Sequence, residues 1–211
     1  MNELHLETSP YLLQHANNPF NSLSQLYGRF WVHYYNNKKS KYSGSVSFFY
    51  NREVPELSQE KSPEVRFTFQ GIYYIIKGKT VFTNRLRIDD RIIGDSNNSF
   101  NIVFRFREML KLVYPISKSQ NGKGSFYGIA SEEVLFKTKG PITGDEFFDR
   151  NCFSFGFGYS FTDFFQVQVS YLNDYLPREI NDKMYHSIGT SIIFNDLITA
   201  LKKKQGNLPS H

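Results

Sequence analysis

The chain is short of most things that would name a chemistry. It has one cysteine, Cys152, in 211 residues, which excludes a disulfide framework, a CxxC redox pair or a cysteine-built zinc site within it. It has no run of 18 apolar residues, so it offers no helical membrane span. Charge of one sign is missing too. The 25 Lys and Arg are interleaved with 20 Asp and Glu for a net charge of +5, without the basic stripe that nucleic acid requires. The five histidines, at 5, 15, 33, 186 and 211, show no ligand spacing of i, i+2 on a strand or i, i+4 on a helix. No metal, cofactor or nucleic-acid partner is expected. What the chain does have is aromatic residues, 17% of the total, from 21 Phe and 14 Tyr.

The aromatics recur with period two. Phe153, Phe155, Phe157, Tyr159 and Phe161 alternate with Ser154, Gly156, Gly158 and Ser160. Phe165, Val167, Val169 and Tyr171 alternate with Gln166, Gln168 and Ser170, and only residues 162–164 separate the two runs, which suits a tight hairpin. The same alternation holds in 65–75, 82–92 and 102–114, where Glu108 alone breaks the apolar row. Weaker runs lie at 26–36, 42–53, 125–138 and 184–194. Turn residues stand between them at Lys77-Gly78, at 96–99, at Asn121-Gly122 and at Asn173-Asp174. Many strands and no long helix define an all-β domain, a sandwich or an up-and-down barrel.

Alternation alone does not say which face is buried. A soluble sandwich buries the aromatic face; a transmembrane barrel turns it to lipid and keeps polar groups inside. Segments of 10–13 residues exceed the usual soluble strand and match a spanning one. Tyrosines at segment ends, Tyr34-Tyr35, Tyr73-Tyr74, Tyr114 and Tyr171, suit an interfacial girdle. The expected fold is therefore an antiparallel transmembrane-type barrel of eight strands or ten over residues 25–195, with a tail at 196–211. Residues 1–24 read as a segment of different origin outside the barrel, with no signal-peptide pattern in them.

Two resemblances bear on this reading. Asn84-Arg85-Leu86-Arg87, Phe104-Arg105-Phe106-Arg107, Ser131-Glu132-Glu133 and Phe147-Phe148-Asp149-Arg150-Asn151 together resemble a family of unknown function, over about residues 42–195. Its members are small outer-membrane β-barrels of Bacteroidota-type bacteria. The resemblance implies an outer-membrane location, with the lipid bilayer and lipopolysaccharide as partners, and no activity. Separately, Asn2, Leu4 and Leu6, the run from Glu7 to Ala16, and Asn18-Pro19 resemble the opening of a cytosolic family with a thioredoxin-like domain and an epimerase-like barrel. The cysteine motif of that family is missing, so no redox activity carries over.

The polar faces supply the candidate site. Arg85, Arg87, Asp89 and Arg91 share one face of one segment; Arg105, Arg107 and Lys111 share one face of the next. Such rows need carboxylates or a bound anion, because unpaired buried charge is costly. The choice is between an internal salt-bridge plug, closed by Asp89 and either Glu132 or Glu133, and an anion-binding or anion-conducting lumen. Glu132 and Glu133 are adjacent, so in a strand they point to opposite faces and cannot form an acid/base pair. Gly78-Lys79-Thr80 reads as a hairpin turn and Gly156-Phe157-Gly158 as close packing, not as nucleotide loops. The run Lys202-Lys203-Lys204 reads as a solvated end. The chain is expected to be a non-enzymatic outer-membrane barrel, structural or binding a small ligand or anion of unknown identity. The rivals are a soluble all-β binding module and a membrane-barrel hydrolase, for which no Ser–His pair can be named from sequence.

Overall fold

The computed structural model describes residues 3–14, 23–36, 39–51, 62–94, 99–118, 124–138, 146–162, 165–177 and 181–194. They form ten strands: β1 (Glu3–Gln14), β2 (Leu23–Asn36), β3 (Ser40–Asn51), β4 (Ser62–Lys77), β5 (Val81–Gly94), β6 (Phe100–Lys118), β7 (Ser125–Lys137), β8 (Phe148–Ser160), β9 (Phe165–Leu176) and β10 (Lys183–Phe194). Nine antiparallel pairings join them in chain order, a pure meander. Among the described residues no hydrogen-bonded pairing joins β1 to β10. The all-β, up-and-down expectation holds, with ten strands.

The period-two rows became strands because each places most of its aromatic or aliphatic side chains on one side, while a few, among them Trp31, Phe49, Val103 and Leu135, are buried on the other. Two hairpins confirm the expected turns. Gly78–Thr80 links β4 to β5, with Gly78 N donating to Thr80 O at 3.2 Å; Phe161 N donates to Phe165 O across the β8–β9 connection. Pro115, which has no N–H to give the ladder, sits at a register shift between β6 and β7, where such a residue is tolerated. One expected turn is overturned. Asn173 and Asp174 lie inside β9, each with a cross-strand partner on both sides. The turn at 96–98, Asn121-Gly122 and the lysine run at 202–204 lie outside the described residues. The segment set apart at the N-terminus contributes β1, paired with β2 from Glu3 through Gln14.

Burial across the sheet is inverted. Phe69 is 69% exposed and Leu86 58%, while Asp89 on the opposite face is 0% exposed and Glu64 3%. No second layer covers the buried face among the described residues; the sheet curls, and side chains of non-neighbouring strands meet across that face. Arg85 of β5 reaches Glu133 of β7, Arg105 of β6 reaches Asp149 of β8, and the Arg87 guanidinium of β5 lies 5.4 Å from the Trp31 ring of β2. Between those last two strands β3 turns Ser43, Ser45 and Ser47 inward, all buried. Small side chains there leave the space in which Trp31 and Arg87 meet.

Two glycines hold the sheet close. A Cβ on Gly156 would fall 2.3 Å from the carbonyl oxygen of Val169 in β9, and one on Gly158 would fall 2.4 Å from the Tyr127 ring. Tyr127 is fixed over Gly158 because its hydroxyl donates to Gln166 Oε1 at 2.8 Å and accepts from Gln168 Nε2 at 2.9 Å. Gly156→Ala should therefore destabilise the fold by about 1–3 kcal/mol, the usual range for overpacking. Gly28→Ala, with nothing within 4 Å of the new methyl, should stay within about 0.5 kcal/mol. Urea unfolding of the two variants under the same conditions checks the contrast.

Candidate functional site: the charged inner wall

The inner faces of β4 to β8 carry three ion clusters, each centred on a buried carboxylate. At one end Glu64 holds two arginines. Arg91 grips it with both prongs, Nε to Oε1 and Nη2 to Oε2, each at 2.8 Å. Arg66 Nε donates to Oε1 at 2.8 Å, and its guanidinium also lies 4.1 Å from the Phe49 ring centroid. The fork of arginine matches a carboxylate in this way and lysine does not.

The middle cluster gathers Glu133, Arg85, Arg107 and Asp89. Glu133 accepts from Arg107 Nε at 3.0 Å and Nη2 at 2.6 Å, and from Arg85 Nη2 at 2.5 Å. Arg107 Nη1 reaches Asp89 Oδ2 at 3.4 Å; the other oxygen of Asp89 accepts from Thr68 Oγ1 at 2.7 Å. The third cluster surrounds Asp149, with Arg105 Nη2 at 2.9 Å, Lys137 Nζ at 3.7 Å and Arg150 Nε at 3.8 Å. The Arg105 contact is an ion pair without hydrogen-bond alignment, since neither Asp149 Oδ2 nor Arg105 Nε finds a hydrogen-bond partner.

Of the candidate residues, Arg85, Asp89, Arg91, Arg105, Arg107 and Glu133 meet in these clusters. Arg87 lies in the same wall but makes no ion pair within 4 Å among the described residues; its Nε and Nη2 both donate to Gln70 Oε1, at 3.1 and 2.7 Å. Lys111 shares the face, cross-strand from Thr83 and Ser131, and makes no ion pair within 4 Å among the described residues. Glu132 does not belong. It is exposed on the outer face and accepts from Asn151 Nδ2 at 3.1 Å. Register decides between the two glutamates: Glu133 is cross-strand from Met109 and Cys152 on the inner side.

Sequence reading missed Glu64, Arg66, Lys137, Asp149 and Arg150 as cluster members. Glu64 was findable, since it continues the polar row of Arg66 and Thr68 at period two. Asp149 was not, because it occupies a register shift between β7 and β8, where alternation no longer tells inside from outside. The outer face holds the unexplained Glu108, which accepts from Asn84 Nδ2 at 2.8 Å. That amide partner accounts for a carboxylate in an apolar row.

Against this geometry, the chain matches a family model described as a protein of unknown function, DUF2490, over residues 4–185. The chain belongs to that family. The matched range begins at residue 4 and so takes in most of the N-terminal stretch that resembles the cytosolic family. No curated protein matches the chain, and no solved structure matches it.

The clusters give a sharp contrast between neighbours. Glu133→Gln leaves the Arg85 guanidinium without its carboxylate and Arg107 with Asp89 alone, and should destabilise the fold by about 3–5 kcal/mol, the range for breaking a buried pair. Glu132→Gln keeps an acceptor for Asn151 on an exposed face and should change stability by no more than about 0.5 kcal/mol. Equal effects in chemical denaturation would mean that the β6–β7 register is wrong.

Proposed function

We propose that the chain is a small transmembrane β-barrel of the bacterial outer-membrane type, with its apolar face in lipid and a charged, largely filled interior. The observation that carries this reading is the inversion of burial. A soluble protein of this composition hides its phenylalanines; here Phe48, Phe69, Phe104, Phe106 and Phe155 are exposed while the arginines and carboxylates of β4–β8 are turned inward. Water penalises that arrangement and a bilayer rewards it. The strands, 12 to 19 residues long, exceed the 9–11 that a tilted span needs.

A second feature agrees. Tyr34, Tyr42, Tyr73, Tyr114 and Tyr159 are all exposed and all lie towards the sheet end where the short 78–80 connection stands. A ring of tyrosines at one level is what a membrane–water interface selects. The role of such a barrel is structural or the binding of a small ligand, with lipid and lipopolysaccharide as its surroundings; it is not an enzyme. The hydrolase alternative now has one pair to point to, His33 Nδ1 at 2.8 Å from Ser43 Oγ. Both residues are buried near the Asn36–Ser40 end of the β2–β3 pair, and a mutual hydrogen bond between two buried polar groups explains them without catalysis.

Expressed with an export signal, the chain should be extracted from membranes only by detergent and should run at different gel mobilities before and after boiling. A refolded chain that stays soluble and monomeric without detergent would contradict the proposal. Phe155→Arg separates the readings further. In lipid it should cost about 2–4 kcal/mol if the residue lies near the midplane, whereas on a water-facing sheet it would be neutral or improve solubility.

A further inference from the structure

The inner wall carries more positive charge than its carboxylates can absorb, and the excess is concentrated at one place. Arg87 is 7% exposed and sits directly cross-strand from Arg107 and two residues from Arg85 on the same face. Like charges directly opposite one another in a sheet repel. The nearby carboxylate oxygens are already engaged: both oxygens of Glu133 by Arg85 and Arg107, and both oxygens of Asp89 by Arg107 and Thr68. Arg87 is left with a neutral amide and the Trp31 face. Beside it, Arg85 Nε is buried with no hydrogen-bond partner, and Lys111 adds a further cation without an ion-pair partner among the described residues. The side chains of Arg85 and Arg107 each keep 16% exposure, so a group of the size of water reaches them.

We propose that this wall binds a small oxyanion, with Arg87 as the principal ligand and Arg85 flanking it. Inorganic phosphate is the representative probe, because the guanidinium fork fits its paired oxygens. The proposal rests on the reading of the charged face as an enclosed interior. It goes beyond that reading by naming the ligand class and the residue that recognises it. A salt-bridge plug needs no arginine without a carboxylate; an anion site does.

The test uses the full chain folded in a maltoside detergent, which contributes no phosphate. Phosphate is titrated calorimetrically against chloride at matched pH and ionic strength. The wild type should bind phosphate saturably at about one site per chain. Arg87→Met should weaken binding about tenfold or more, the worth of one charge-assisted contact. It should still fold, since removing Arg87 orphans no carboxylate. Lys79→Gln, which removes a charge at an exposed turn, should bind as the wild type does. Phosphate heats no greater than those of chloride, or undiminished binding by Arg87→Met, would overturn the site. Should Arg87→Met fail to fold, Arg87→Lys keeps the charge without the fork and should show the same weakening. Solubility without detergent would instead count against the membrane reading; the same titration run in buffer would then decide the anion site by the same two outcomes.

Discussion

A charge taken out of water must find its counter-charge, and the order of this sheet follows from that requirement. Glu133 receives two guanidiniums, from β5 and β6, while itself standing on β7. Those pairings hold only if three strands keep one register. A slip of a single residue would send Arg85, Arg107 and Glu133 to the outer face and bring Leu86, Phe106 and Val134 inside. Buried salt bridges add little net stability over well-packed apolar residues. Here they supply the specificity of register that an apolar core would otherwise supply.

The outer face obeys the complementary rule. It is largely apolar, and three of its polar groups bring a partner: Glu108 with Asn84, Glu132 with Asn151, and His186 with the hydroxyl of Tyr171 at 2.5 Å and Asn173 at 3.1 Å. Asp90, cross-strand from Phe67 and Phe104, is an exception, with one carboxylate oxygen that finds no hydrogen-bond partner. On the proposed membrane reading, an ionised group on this face is expensive, and an amide hydrogen bond lowers but does not abolish that expense. Gly44 and Gly71 leave a depression on this face of about 800 Å³ between Tyr42, Phe69, Leu86 and Phe106. Most of its exposed lining is apolar, although Gln70, Arg87, Arg107 and Glu108 also border it.

Much of this was legible in the sequence, and the part that was not has a common cause. Alternation is local, so the strands and the pairing of Arg85 with Arg87 and of Arg105 with Arg107 on shared faces could be read directly. The choice between Glu132 and Glu133 is not local. It depends on which face of β7 meets β6, and adjacent residues of equal charge carry no mark of that. Asn173-Asp174 resembled a turn because those residue types favour turns, yet cross-strand partners on β8 and β10 outweigh that preference. Trp31 was simply the single tryptophan in the sequence; only the roll of the sheet reveals it between Arg29 and Arg87, each 5.4 Å from its ring.

That tryptophan also provides the most direct test of the inverted sheet. The chain is inserted into vesicles whose acyl chains carry bromine, which quenches indole fluorescence on contact. Two proteins are compared, the native chain with Trp31 on the inner face, and a Trp31→Phe, Phe155→Trp double variant with its indole on the outer face. Strong quenching is expected at position 155 and several-fold weaker quenching of Trp31. Quenching of Trp31 equal to that at 155, or a chain that does not enter the vesicles, would contradict it.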